Sequence, residues 1–230
     1  MVGQGTRSEY TILAEDLASD GYAVFGIDHP YMGWTALGNG KVTPATEEQF
    51  RSPAEIMEYY GQDVRFVLDQ MQKLNTNDAD RFLVGRLDLS RIAAIGHSSG
   101  FSAVSTACRH DPRIRACINV DAPGFRADLL AGLNQPLLWI RLERAAPVPE
   151  GFVSSAKSAI YELQIKDANH GSIEDWDYLE ATTYSARQIA LRRLTLIRTC
   201  IEAFLGKTLL GRSSDLLKDC ETSEVRLRVY

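Results

Sequence analysis

The sequence of 230 residues has few of the features that mark membrane or nucleic-acid-binding proteins. No apolar run approaches the roughly 18–20 residues of a membrane span, and the first residues lack the apolar segment of a signal peptide. With 30 acidic and 25 basic residues the net charge is −5, which gives no reason to expect binding to nucleic acid. We therefore expect no membrane span and no nucleic-acid partner.

Cysteine is scarce as well, and its positions point away from metal chemistry. Cys108, Cys117, Cys200 and Cys220 form neither a CxxC pair nor a Cys/His spacing typical of a metal site. The first three lie in apolar surroundings, which predicts buried free thiols. We accordingly expect no metal, and the free thiols favour a cytoplasmic location.

Apolar stretches alternate with amphipathic ones along the chain, which predicts an α/β fold with a mostly parallel central sheet flanked by helices. The length and a hydrophobic content of 45% fit a single domain, 1–230. The predicted strands are 22–27, 92–95, 114–120, 136–140 and 159–165, with an edge strand at 225–229; the predicted helices are 8–20, 53–75, 102–109 and 184–205. In parallel sheets ligands bind beyond the carboxyl ends of the strands, where Asp28, His29, Ser98, Asp121, Glu143 and His170 fall.

The most informative stretch is Gly96-His97-Ser98-Ser99-Gly100, which matches G-x-S-x-G. It joins a predicted strand to a predicted helix, the setting that makes this pattern a nucleophile elbow. A sharp turn would force Ser98 into a strained conformation, and side chains at the flanking glycines would collide with the neighbouring strand or helix. Ser98 is therefore the predicted nucleophile, and the Ser99 N–H at a helix start is a predicted oxyanion donor.

A serine nucleophile needs an imidazole to take its proton and a carboxylate to orient that imidazole. His170 follows the last predicted core strand and is the predicted base, since His97 is expected to point away from Ser98. Asp121 is the preferred acid because it ends the strand after the elbow helix. Glu143 remains open as an alternative, and so does Asp167, which sits three residues before His170.

The residues that would shape a substrate pocket are less clear from the pattern. The candidates are His29, Trp34, Phe101 and Phe125. Trp139 is a fifth aromatic considered for this role, but it lies in the middle of a predicted strand and is better explained as core.

Several segments carry a family resemblance. These are Gly3-Gln4-Gly5, 16–22, 63–69, 85–91 and 111–122, the last placing Asp121 after Ser98 by 23 positions. They resemble the platelet-activating-factor acetylhydrolases (isoform II or plasma type) and their dienelactone-hydrolase-like relatives, which have the α/β-hydrolase fold. The resemblance implies Ser98 as nucleophile, Asp121 as acid and His170 as base, with backbone N–H groups of Gln4 and Ser99 forming the oxyanion hole.

The same resemblance raises an expectation about the sheet. In that fold three strands precede the loop that matches Gly3-Gln4-Gly5, and the third lies between the strand at 22–27 and the elbow strand. The chain is therefore expected to lack the first strands of the fold, leaving a gap unless another segment, such as 225–229, fills it. A phenylalanine, Phe101, also stands where the family has a second glycine.

Together these observations predict a serine hydrolase that cleaves short-chain carboxylic esters through an acyl-enzyme. Its partner would be a small-molecule ester, it would need no cofactor, and a homo-oligomer is compatible with the sequence. The alternative is a non-catalytic α/β-hydrolase homologue that binds a ligand or a protein in a degenerate pocket.

Overall fold

The computed structural model describes residues 6–30, 33–44, 46, 53–122, 132–142, 145–212, 218, 220 and 223–230. Its α-helices are α1 (Thr11–Ser19), α2 (Pro53–Thr76), α3 (Gly100–His110), α4 (Glu150–Ser155), α5 (Trp176–Leu179) and α6 (Tyr184–Leu210). Its strands are β1 (Thr35–Ala36), β2 (Val42–Thr43), β3 (Ile92–His97), β4 (Ile114–Val120), β5 (Leu137–Leu142), β6 (Ile160–Ile165) and β7 (Val225–Val229). Two 3₁₀ helices, Arg7–Tyr10 and His170–Ile173, contribute to the site described below.

The central sheet has five strands in the order β3-β4-β5-β6-β7. Strands β3 to β6 pair in parallel, and β7 adds to β6 in the antiparallel sense. The apolar runs that form β4, β5 and β6 are largely buried on both faces, as central parallel strands require, whereas β3 is mostly half-buried. The four predicted core strands from residue 92 onward and the predicted edge strand at 225–229 are thereby confirmed.

Alternating side chains of these strands feed two apolar cores, one on each face of the sheet. Ile118 of β4 and Ile140 of β5 pack with α1 and α6, whereas Cys117 and Trp139 of the same strands pack with α2, α3 and α4. The order of layers is therefore helix, sheet, helix, which confirms the α/β class with a mostly parallel sheet.

The predicted strand 22–27 is wrong as an element of the sheet. The stretch makes no strand pairing, and Val24 is 41% exposed. The physical reason is the position of β3 at the open edge of the sheet: among the described residues no strand pairs with its outer side. The expected gap is thus present between 22–27 and β3, and the tail strand β7 does not fill it because it pairs with β6 at the opposite edge.

The prediction of free thiols is wrong for two cysteines. Cys108 of α3 and Cys117 of β4 form a disulfide, while Cys200 and Cys220 are buried and not disulfide-bonded. The sequence conceals this pairing because nine residues separate the two cysteines, and only the return of the chain from α3 into β4 brings them together.

Candidate active site

The elbow at the end of β3 has the strained geometry that its sequence predicts. Ser98 has φ of +52°, a left-handed conformation that non-glycine residues rarely adopt. Gly96 is required because a Cβ there would lie 2.5 Å from the Phe101 nitrogen. The same argument fails for Gly100, where a Cβ would meet no atom within 4 Å, because this side of the turn faces a cavity.

The structure brings Asp121 and His170 together across 49 residues of sequence. His170 Nδ1 lies 2.7 Å from Asp121 Oδ2, and Asp121 Oδ1 accepts from the Leu142 N–H at 2.7 Å. A carboxylate has no proton to donate, so Nδ1 carries the hydrogen and Nε2 is left as the proton acceptor. This is the tautomer that a general base needs. Asp121 itself has φ of +52°, so the turn after β4 is strained in the same way as the elbow.

Local hydrogen bonds hold the segment that carries His170. Asn169 caps the 3₁₀ helix by accepting from the Gly171 N–H, while Ser172 Oγ accepts from the Asn169 N–H at 2.9 Å. This reciprocal capping fixes the backbone at His170 although its side chain remains 54% exposed. The segment Asn169-His170-Gly171-Ser172 therefore presents an accessible imidazole on a constrained turn.

The charges around His170 favour its protonated form. The hydrogen bond to Asp121 raises the pKa of His170 above its ordinary value of 6.5, and partial burial opposes that effect. The negative charges of Asp121 and Glu174 raise the pKa further. An imidazolium formed during proton transfer would thus be stabilised where it arises.

Ser98 and His170 are not hydrogen-bonded to each other in the described structure. Among the described residues, no hydrogen bond joins the Ser98 hydroxyl to His170, although both side chains line the same cavity. In unliganded enzymes such contacts are often long and tighten when substrate binds. Ser99 is the N-cap residue of α3. Its backbone N–H has no backbone acceptor among the described residues, so it is available to an oxyanion.

A cavity of about 1130 Å³ runs beside the elbow. It lies between the segment 22–29, α2 and the unpaired edge of β3, and every residue from Ile92 to Gly100 lines it. Its volume exceeds the ~300–1,000 Å³ of ordinary ligand pockets because it occupies the width of an absent strand pairing. Much of its wall is apolar.

The predicted pocket residues divide into those that line the cavity and those that do not. His29 lines it, with its Nδ1 2.9 Å from Asp63 Oδ2. Phe101 is wrong as a pocket wall: it is 0% exposed and packs edge-on against Trp139, with ring centroids 5.6 Å apart. The α3 backbone directs this ring into the core beneath the sheet, where Trp139 is also buried as expected. Trp34 is 61% exposed and does not line the cavity, since it sits beside the small β1–β2 hairpin.

Three of the predicted residues lie outside the described part of the chain. These are Gln4, Phe125 and Glu143. Of the alternative acids that are described, Asp167 occupies a turn with φ of +56° and forms no ion pair with His170.

Sequence reasoning missed three residues of the site. His97 was expected to point away, yet its ring lies 4.5 Å from the His170 ring, measured between centroids. Tyr10 Oη is 2.9 Å from His97 Nδ1, and Glu174 Oε1 is 3.4 Å from the same nitrogen. No pattern in the sequence signals this cluster, because Tyr10, His97 and Glu174 lie far apart in the chain and Glu174 is in extended conformation after the 3₁₀ helix that begins at His170.

In the described part of the chain, no group of three or more His, Cys, Asp or Glu side chains is arranged to hold a metal ion. No helix there is both long and apolar enough to cross a membrane.

A mostly parallel sheet between helical layers, with a strained serine at a strand-to-helix turn, is the architecture of the α/β-hydrolases, and this chain has that fold. The chain is similar to a probable 1-alkyl-2-acetylglycerophosphocholine esterase of Arthroderma benhamiae, with 32% identity over 124 residues. That match covers 52% of this chain and 29% of the relative, so the chain spans less than a third of that protein's length.

Its structure is similar to that of a ferulic acid esterase from Streptomyces cinnamoneus, with a TM-score of 0.77 and 29% identity. This similarity covers 96% of the chain and 70% of the esterase. No family model matches the chain. The similarity to the Arthroderma esterase confirms the resemblance to acetylhydrolases, and the similarity to the Streptomyces esterase confirms the α/β-hydrolase fold.

Proposed function

We propose that the chain is a carboxylic ester hydrolase in which Ser98, His170 and Asp121 act as nucleophile, base and orienting acid. The observation that carries the proposal is the 2.7 Å bond from His170 Nδ1 to Asp121 at the mouth of the cavity that also exposes the strained Ser98. The similarity to two proteins named as esterases supports the same reaction class.

The proposed reaction follows from the positions of these groups. The Ser98 hydroxyl gives its proton to His170 Nε2 as its oxygen attacks the acyl carbon, and the carbonyl oxygen becomes an oxyanion facing the Ser99 N–H. Collapse of this intermediate breaks the ester C–O bond, and the leaving alkoxide takes the proton from His170. Water activated by the same histidine then hydrolyses the acyl-enzyme and restores Ser98.

We further propose that the acyl group is short. The arginines at the cavity wall are already engaged: Arg7 pairs with Asp28 at 2.6 Å, Arg91 pairs with Asp88, and Arg86 lies over the Phe82 ring. No unengaged cation among the described wall residues therefore marks a phosphate headgroup site. An uncharged ester fits this wall best, and the short acyl group is proposed from the similarity to an acetyl ester hydrolase.

The test is labelling with a fluorophosphonate probe, followed by peptide mass spectrometry to locate the adduct. We expect a single adduct at Ser98, lost in Ser98→Ala and kept in the matched control Ser102→Ala, which removes a hydroxyl one helical turn away. Esterase turnover should follow the same pattern, with p-nitrophenyl acetate hydrolysed faster than the octanoate. A cooperatively folded chain that takes no label and hydrolyses no ester would instead support the non-catalytic ligand-binding alternative.

A further inference from the structure

A second histidine–carboxylate pair lies directly against the first one. His97 immediately precedes Ser98 and is only 5% exposed at its side chain. Its ring and the His170 ring are inclined by 39° with their centroids 4.5 Å apart. The rotation of the proposed base is therefore limited on one side by Asp121 and on the other by the His97 ring.

His97 is held in turn by two residues from separate segments. Tyr10 comes from the 3₁₀ helix Arg7–Tyr10, and its ring meets the His97 ring edge-on at 5.9 Å. Glu174 caps the 3₁₀ helix that begins at His170. Both reach His97 Nδ1, at 2.9 Å and 3.4 Å respectively. Three chain segments thus converge on a single nitrogen.

The protons of this cluster can be assigned from its hydrogen bonds. Burial, followed by the nearby charge of Glu174, raises the pKa of Tyr10 well above its usual range, so its hydroxyl keeps its proton and donates it to Glu174. His97 Nδ1–H can then donate to the Tyr10 oxygen. His97 Nε2 is buried and has no hydrogen-bond partner among the described residues. Among the described residues, the His97 ring is therefore held through Nδ1 alone.

We propose, on the basis of the esterase function above, that His97, Tyr10 and Glu174 form a positioning unit for His170. The His97 ring supports the imidazole of the base, and Tyr10 and Glu174 fix the orientation of that ring. Glu174 also adds a second negative charge beside His170 and so favours the imidazolium formed when Ser98 gives up its proton. None of the three touches the reacting atoms, so each acts through His170.

The effect of Glu174 on His170 can be distinguished from the effects of the other titratable groups nearby. The titratable groups that face the two imidazoles are Glu9 and Tyr10 from the first 3₁₀ helix, Asp121 after β4, and Glu174. Burial raises the pKa of Glu9, with Glu174 adding to the effect, and Glu9 is not among the charges that raise the pKa of His170. Asp121 and Glu174 are then the main carboxylates acting on His170.

The experiment compares Glu174→Gln and Tyr10→Phe with two matched controls, Glu180→Gln and Tyr184→Phe. Glu180 is exposed after α5, and Tyr184 is 79% exposed at the start of α6. Two readouts are measured: the NMR titration of His170 without substrate, and the pH profile of kcat/KM on p-nitrophenyl acetate.

For Glu174→Gln we expect the His170 titration to move to lower pH, because a negative charge that favours the imidazolium is gone. The acid limb of kcat/KM should move in the same direction. For Tyr10→Phe we expect kcat to fall by up to about 10²-fold with little change in KM, the effect of a displaced catalytic group. Both controls should leave the titration and the kinetics unchanged.

An unchanged His170 titration in folded Glu174→Gln, or an unchanged kcat in folded Tyr10→Phe, would overturn the positioning role. The titration needs no substrate, so it tests the unit even in a chain that hydrolyses nothing. Absence of hydrolysis in the wild-type chain would refute the proposed function instead, and the two failures are thereby distinguished.

Discussion

At the scale of single residues, the site contains two strained positions at the carboxyl ends of two neighbouring strands. Ser98 and Asp121 both have φ of +52°, and each follows directly after a parallel strand. Backbone strain of this kind costs about 1–3 kcal/mol per residue and persists only where the surrounding structure determines it. Here it places Ser98 at the cavity that His170 also lines and holds the Asp121 carboxylate against His170.

The first prediction concerns Asp121. Asp121→Asn keeps the shape of the side chain but removes the charge that stabilises the His170 imidazolium, so the pKa of His170 should fall. By analogy with other serine hydrolases, kcat should fall by about 10⁴-fold. Turnover of p-nitrophenyl acetate checks the loss, and NMR titration of His170 checks the pKa.

The matched control is Asp167→Asn, which alters the rival carboxylate on the same loop. We expect this variant to keep wild-type turnover, because Asp167 forms no ion pair with His170 in the structure. A loss of activity in Asp167→Asn with none in Asp121→Asn would reverse the assignment of the acid.

The second prediction tests whether Phe101 is a core residue or part of the substrate pocket. Phe101→Ala should lower the free energy of unfolding by about 3–5 kcal/mol, because the ring is fully buried against Trp139. The control Phe66→Ala should change it by less than about 0.5 kcal/mol, since Phe66 is 61% exposed. Urea unfolding measures both variants. A Phe101→Ala protein with unchanged stability but altered KM would show that the ring contacts substrate after all.

At the scale of secondary-structure elements, the decisive feature is the open edge of β3. The Ser98 N–H donates to the Val120 carbonyl, and alternate residues of a strand direct their backbone groups to opposite sides. The backbone N–H and C=O groups of Ala94 and Gly96 therefore point toward β4. Those of Ala93, Ile95 and His97 point toward the cavity. Half of the strand's backbone groups consequently have no neighbouring strand among the described residues.

Hydrogen exchange tests this edge within a single strand. The amides of Ala93, Ile95 and His97 should exchange much faster than those of Ala94, Gly96 and Ser98, because only the second set is bonded to β4. Amide exchange followed by NMR resolves the alternate residues. Equal protection of both sets would mean that another strand occupies the outer edge in solution.

At the scale of the whole molecule, two cores on opposite faces of the sheet hold the layers together, and a disulfide reinforces one of them. Cys108 and Cys117 join α3 to β4, so they link the helix that follows Ser98 to the strand that ends just before Asp121. The second cysteine pair, Cys200 and Cys220, stays reduced although both thiols are buried.

The disulfide gives a prediction about stability and thiol content. The double variant Cys108→Ala/Cys117→Ala should lose about 2–3 kcal/mol of unfolding free energy, the loop-entropy value for a short loop. Thiol titration of the wild-type chain in denaturant should find two free thiols before reduction and four afterwards, since only one pair is bonded. The reduced wild-type protein serves as the control, because it lacks the bond but keeps both side chains. Four free thiols before reduction would contradict the pairing.

Much of this architecture follows from patterns that are local in sequence. The apolar runs of β3 to β6 are long enough to identify buried parallel strands, and the pentapeptide Gly96–Gly100 specifies the turn around Ser98 from local sequence alone. The segment 22–27 has the same apolar character, yet it does not pair, because pairing requires a partner strand that no local pattern can supply. Phe101 was misjudged for a related reason, since which side of α3 faces the core depends on where the sheet lies.

The sequence by itself determined the α/β class, the strained serine turn, and the loop that carries His170, because these depend on side-chain periodicity, glycine placement and local capping. Tertiary structure decided the rest. Only folding brings Asp121 and His170 into contact, closes the Cys108–Cys117 bond, and places His97, Tyr10 and Glu174 against the base. These contacts join residues distant in sequence, and their distances are fixed by the packing of helices and strands, which acts on the whole chain at once.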